Sequence, residues 1–328
     1  MWPVLLALAL FGWQEPPRQP QPRPPGMPDP ALAKRPTRQL AIESGEGTMA
    51  ARRAPDGRLF VLNRTDACFW IYDAQGKPAG RLFGRDTNPN PLRRPEDFLF
   101  DHAGNLVVGD ITEVKVVSPT GDLLRKFDSG FIGIRSIANL RSGRLVVSGI
   151  PYKRQTAISV FEPDGTLVMS FGPRINMHED EATNANRNAG LVLVDRYDQI
   201  LHVFQAAIPP TIRKYSAKGE MLGAWHPQHP LLNFRVERGR LANQEFRDGR
   251  PLISVIFLGA GYDRDEDCLW VSFAGNQLLK LDTNGNVLQH SLMFPLSEGP
   301  FSIYRLHVEG PKLLVVSAVS GLFEFAKP

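Results

Sequence analysis

At 328 residues with 42% hydrophobic side chains, the chain can bury one large all-β core or two smaller ones. A net charge of +4, spread over scattered arginines with no basic block, argues against nucleic acid and leaves room for an anionic ligand. Two cysteines, Cys68 and Cys268, exclude a disulfide scaffold, so the core must hold the fold.

Trp2–Trp13, WPVLLALALFGW, is apolar but too short to span a bilayer. It reads as the apolar part of a secretory signal, residues 1–14, with cleavage near Gly12–Gln14 and a secreted or periplasmic product. No Lys or Arg precedes it, so a misassigned start and an uncleaved anchor are the alternatives. With the signal removed, no transmembrane span is expected. Residues 15–36 are Pro-rich and poor in β-branched and aromatic residues, which predicts a disordered spacer.

Arg38–Glu43, RQLAIE, is a strand pattern with no partner nearby in sequence. A repeated unit then follows, clearest at residues 95–127. It predicts strands at Asp97–Phe100, Asn105–Asp110, Val114–Ser118 and Asp122–Phe127. Six copies of its second strand follow a small-residue turn: they begin at Gly57, Gly104, Gly143, Asp198, Asp267 and Gly310. Turn glycines Gly76, Gly121, Gly165, Gly219 and Gly285 close the third strands, with spacings of 45, 44, 54 and 66 residues. A period near 45 with four strands per unit predicts a propeller blade. The sixth copy ends at Gly321–Phe325 without an outer strand. The orphan strand 38–43 supplies it. The expected fold is all-β: a six-bladed β-propeller over residues 37–328, with four-stranded antiparallel blades. Strand 38–43 closes the ring as the outer strand of the last blade. Cys68 and Cys268 then fall in non-neighbouring blades as buried thiols.

Pro95, Asp101, Gly104, Leu106, Val108, Asp110 and Gly121 follow the blade pattern of the NHL-type six-bladed propellers, which this chain resembles over about residues 38–328. The resemblance implies the fold and leaves the function open, since propellers host enzymes, binders and scaffolds.

Strand alternation sorts the connections onto two rims. Short glycine turns fall on one. Nearly all the long segments fall on the other, among them 84–94, 172–189 and 226–251. Extra length on one rim of a rigid scaffold predicts the binding face there. The exception is the acidic stretch 260–267, read as a solvated loop on the short-turn rim. At the long-loop mouth of the channel the pattern places Glu46, Glu96, Asp97, Arg135 and Asn188, with Arg64 and Asp110 close by. Charges of both signs there either orient a polar ligand or pair with one another. Arg93, Arg94, Lys153, Arg154, Arg174 and Arg187 share that rim and could hold carboxylates, sulfates or phosphates.

Ser44-Gly-Glu-Gly47 followed by Asp56-Gly-Arg-Leu-Phe also resembles the first motif of the gluconolactonase-like calcium propellers. That resemblance implies a calcium ion held by Glu46, with Glu96 and Asn188 near the next two ligand positions. The chain has no Pro-Asn-Gly segment and no counterpart of the final Asp. His226-x-x-His229 has zinc-like spacing but lacks a third ligand. No Gly-x-Ser-x-Gly, phosphate-binding glycine loop or paired-Cys motif occurs.

The expected function is a monomeric binding module outside the cytoplasm that needs no cofactor. It would take an anionic small molecule, glycan or peptide, or another protein. The alternative is a calcium-dependent lactonase-like hydrolase or lyase in the channel.

Overall fold

A computed structural model describes residues 32–328 except 41–46, 87–90, 152–154, 243–245, 248–249, 274, 296–300 and 318–320. The chain enters through two short strands, β1 (Leu32–Lys34) and β2 (Arg38–Leu40). Blade one is β3 (Thr48–Arg53), β4 (Leu59–Asn63), β5 (Cys68–Tyr72) and β6 (Pro78–Phe83). Blade two is β7 (Pro95–Phe100), β8 (Leu106–Asp110), β9 (Glu113–Val117) and β10 (Leu123–Asp128). Blade three is β11 (Phe131–Asn139), β12 (Leu145–Pro151), β13 (Thr156–Phe161) and β14 (Leu167–Pro173). Helix α1 (Glu181–Arg187) leads to blade four: β15 (Gly190–Val194), β16 (Ile200–Phe204), β17 (Ile212–Tyr215) and β18 (Met221–Trp225). Helix α2 (Pro230–Ala242) and the small hairpin β19 (Phe246–Arg247) and β20 (Arg250–Pro251) come next. Blade five is β21 (Phe257–Asp263), β22 (Cys268–Phe273), β23 (Gln277–Leu281) and β24 (Val287–Met293). Blade six is β25 (Ile303–Glu309), β26 (Lys312–Ser317) and β27 (Gly321–Ala326), completed by β2.

The ring therefore closes as expected. Strand β2 lies antiparallel to β27, with Arg38 opposite Glu324, Gln39 opposite Phe323 and Leu40 opposite Leu322. Thr37 adds two bonds to the Glu324 carbonyl, from its N–H at 2.7 Å and its Oγ1 at 2.9 Å. Residues 41–43 of the expected strand lie outside the described residues, as do residues 1–14, expected as a signal, and most of residues 15–36, expected as a spacer. The end of the segment read as spacer is ordered by pairing: β1 adds to β24 in parallel as a fifth strand of blade five. Edge N–H and C=O groups on β24 are satisfied this way.

Each blade packs on the next through side chains that alternate along the strands. Between blades one and two, Phe60, Phe69, Phe98 and Phe100 meet edge to face. A second contact repeats around the ring. A Cβ at Gly165 would meet the Phe127 ring at 2.6 Å, at Gly219 the Phe171 ring at 2.8 Å, and at Gly285 Trp225 at 2.7 Å. In blades three, four and five the turn after the third strand thus packs against an aromatic from the preceding blade's outer strand. At Gly285 (φ 81°) the left-handed backbone asks for glycine as well. Cys68 and Cys268 are buried free thiols, and burial first of all pushes both up to about 12.

Candidate functional site: the central channel

The inner strands β3, β7, β11, β15, β21 and β25 surround the channel. Five of the six carry a register slip near their start: Thr48/Ala50, Pro95/Asp97, Ile132/Ile134, Phe257/Gly259 and Ile303/Arg305. A bulge puts two residues opposite one and re-aims the side chains that follow. Beyond the slips, the channel widens into a cavity of about 380 Å³. Its polar wall includes Arg52, Asp97, Ser136, Asn139, Arg305 and His307. Two hairpin residues of the short-turn rim, Arg264 and Asp265, also line it, and the first residues of the inner strands do not. The cavity therefore opens toward the short-turn rim, opposite the face expected from loop length.

Arg52 organises the wall. Its Nη2 donates to Asp97 Oδ1 at 3.1 Å, its Nη1 contacts His307 Nδ1 at 3.0 Å, and its Nε donates to the Phe98 carbonyl. Asp97 is itself fixed by the N–H groups of Phe98 (2.9 Å) and Ile137 (3.0 Å). An arginine donor on Nδ1 leaves the ring proton of His307 on Nε2. Burial within the ring and then the Arg52 charge push His307 down, to about 3, so its ring is neutral at pH 7. Its side chain is 37% exposed, into channel space. Arg305 donates from Nη2 to the Arg135 carbonyl at 2.7 Å, and its buried Nε has no partner among the described residues.

Of the residues expected at the channel mouth, only Asp97 lines this cavity. Arg135 offers its carbonyl to Arg305. Glu96 is buried and accepts from Arg64 Nη1 at 2.9 Å, with Arg94 Nε at 3.7 Å. Asp110 accepts from the N–H groups of Arg93 and Arg94 and from Lys115 Nζ at 2.5 Å. Asn188 is the C-cap of α1. Its Oδ1 accepts from Ile175 N–H, and its Nδ2 donates to the carbonyls of Ile175 and Asn184. Glu46 lies outside the described residues. Arg64 and Glu96 thus hold each other, Asp110 holds Lys115 and the backbone, and Asn188 is spent on the backbone; Glu96 Oε2 stays buried without a partner among the described residues.

Calcium asks for about six to eight oxygens. Here Glu96 takes guanidinium groups on Oε1 and keeps Oε2 buried without a partner among the described residues, while Asn188 Oδ1 accepts from Ile175 N–H. These two side chains leave one uncommitted carboxylate oxygen, far short of the set calcium asks for. The histidine pair separates as well. Exposed His226 sits against Thr211 and Pro210, while His229 is buried and stacks on His290 with centroids 4.9 Å apart. The acidic hairpin after β21 is neutralised, not merely solvated: Asp263 pairs with Lys327 at 2.7 Å, Glu266 with Lys280 and Lys327, and Asp267 with Arg196 at 2.9 Å.

The Asp110–Lys115 pair gives a stability test. Both side chains are at most 4% exposed. Asp110→Ala leaves the buried Lys115 ammonium with only the more distant Glu113 carboxylate at 3.5 Å and should cost about 3 kcal/mol, the low end for a broken buried pair. Urea denaturation measures it, and a loss below 1 kcal/mol would show that Lys115 finds another partner.

No family model matches the chain, and no curated protein matches it. Among solved structures it is similar to virginiamycin B lyase from Staphylococcus aureus, with a TM-score of 0.57 and 12% identity over 86% of this chain and 80% of that one. A streptogramin B lyase gives 0.56 and 10% over 88% and 86%. Raptor from Chaetomium thermophilum gives 0.53 and 12% over 87% of this chain and 28% of that one. The likeness establishes the ring architecture alone. It carries no NHL assignment. Among the described residues, no helix is long and apolar enough to cross a membrane.

Proposed function

We propose that the chain is a binding module that takes a small anionic or polar molecule into the channel from the short-turn face. The observation that carries this is the cavity of about 380 Å³ walled by Arg52, Arg305 and His307. That volume lies in the range of small-molecule sites. Arg52 and Arg305 are held by carbonyls and by Asp97, so their donors are pre-positioned and little is lost on binding. The apolar run Trp2–Trp13 supports a place outside the cytoplasm.

Calorimetric titration with acetate, citrate and glucuronate tests the reading. The native chain should bind at least one. Arg305→Gln should weaken it about tenfold or more, the worth of a charge-assisted hydrogen bond. Arg64→Gln, on the opposite rim, should leave it unchanged. The reverse pattern would move the site to the long-loop mouth, and no binding at all would sink the proposal.

A second reading is a lyase in the same channel. It is supported by the ring shared with the streptogramin lyases, one of whose structures is a catalytically inactive histidine variant with quinupristin. Against it, Arg52 occupies His307 Nδ1 and leaves the ring proton on Nε2, so the imidazole has no free lone pair to act as a base. Cleavage of quinupristin, lost in His307→Ala, would reverse that ranking.

A further inference from the structure

A second site lies at helix α1 on the long-loop rim. We propose that one edge of the Arg187 guanidinium is a binding site for an oxyanion, a carboxylate or phosphate group, separate from the channel. Arg187 is 7% exposed. Its Nη1 donates to the Met177 carbonyl at 2.8 Å. Its Nε and Nη2 are buried and have no hydrogen-bond partner among the described residues. Those two nitrogens form one side of the guanidinium, the fork that meets two oxygens of a carboxylate or phosphate in parallel.

An arginine cannot escape burial by shedding its proton. Its counter-charge must come from somewhere; of the acids beside it in sequence Glu179 is exposed, and the other two are committed. Glu181, in the same helix, pairs with Arg174 Nη1 at 2.7 Å and is itself 67% exposed. Asp180 caps the helix by accepting from Thr183 N–H at 2.8 Å. Burial alone bears on the Arg187 charge, and no carboxylate offsets it. The mounting is rigid. Asn184 Oδ1 accepts from Met177 N–H at 2.8 Å, so the carbonyl that holds Nη1 is tied to the helix carrying Arg187. Asn188 ties Ile175 to the same helix from both its amide atoms. The fork is closed to solvent, so an ion reaches it only when the structure over it opens.

The test uses the native chain at low millimolar salt, where general salting effects on stability are small. Phosphate-31 line broadening should show inorganic phosphate exchanging on and off the native chain. Thermal midpoints should rise in phosphate or acetate relative to chloride at equal ionic strength, and the larger rise says which oxyanion the fork prefers. Arg187→Met should melt higher than the native chain in chloride, because an unpaired buried charge is gone, and in the Arg305→Gln background, where channel binding is weakened, it should lose the response to both anions. Arg187→Lys keeps the charge without the fork and should respond about tenfold more weakly. Equal midpoints in all three salts with no line broadening would assign the edge to buried water and overturn the proposal. A response retained when Arg187→Met is combined with Arg305→Gln would overturn it too. Arg305→Gln should keep the response, which separates this site from the channel.

Discussion

A chain beginning at Gly45 should lose about 4 kcal/mol of stability and melt about 10 °C lower. It lacks β1 and β2, and with them the ladder to β27, the two Thr37 bonds to the Glu324 carbonyl and the parallel cover on β24. Each net hydrogen bond is worth about 1 kcal/mol. In a domain this size, 1 kcal/mol moves the midpoint by about 2–3 °C. Stability of a natural domain is about 5–15 kcal/mol in all, so the loss is a large share.

The effect should spread beyond the ends because closure is tied to blade one. Arg53 reaches from β3 to Glu309 and Glu324, both at 3.2 Å, and Lys312 meets Glu324 at 2.5 Å. With β2 gone, the backbone of Glu324 becomes an open edge, and the clasp between first and last blades hangs on it. Hydrogen exchange should therefore rise in β25–β27 and β3 together, with blades three and four least affected. Removal of 32–34 alone should cost less, since the β2 pairing remains. An unchanged midpoint for the Gly45 chain would show that the ring holds through its other five blade interfaces and the Arg53 clasp.

Blade positions were legible because turn chemistry repeats. Strands expected at Asn105–Asp110 and Asp122–Phe127 fall at Leu106–Asp110 and Leu123–Asp128. Strand β1 was not legible: Leu32–Lys34 has no strand pattern of its own and is extended because β24 offers an edge. The helices left local marks that long-loop reasoning passed over: Asp180 three residues before Thr183 is an N-cap signal, and Pro230 opens α2 where proline is favoured. The cavity was the hardest feature to read. Strict alternation along the inner strands assumes an unbroken register, and the bulges near the start of five of them break it. Loop length favoured the long-loop rim, where Arg64 and Glu96 turned out to pair with each other and Asp110 with Lys115. Burial of an arginine edge, as at Arg187, depends on what covers it and leaves no trace in the sequence.

Acid should destabilise the fold well before its carboxylates titrate. His202 is fully buried in β16, neither ring nitrogen has a partner among the described residues, and its ring packs at a tilt against Phe204 with centroids 4.2 Å apart. Burial, with a smaller push from Arg213, lowers it to about 3. Burial and then His229 lower His290 to about 4, and burial lowers His229. An unfolded histidine takes up a proton near 6.5. Between that value and the folded one, the unfolded state binds more protons, so stability falls as pH falls. Each such histidine costs about 1.4 kcal/mol per pH unit in that window. His202 and His290 together should remove about 4 kcal/mol between pH 6.5 and 5; His307, open to channel water, adds less. Acids held low by their partners, such as Asp263 beside Lys327, lose their share only at lower pH. His202→Leu separates the contributions. With no hydrogen bond to lose, it should be near neutral at pH 7.5 and about 2 kcal/mol more stable than the native chain at pH 5. Urea midpoints across that range measure it. If the two curves run parallel, His202 is reached by water or rearranges with its proton, and the acid limit lies elsewhere.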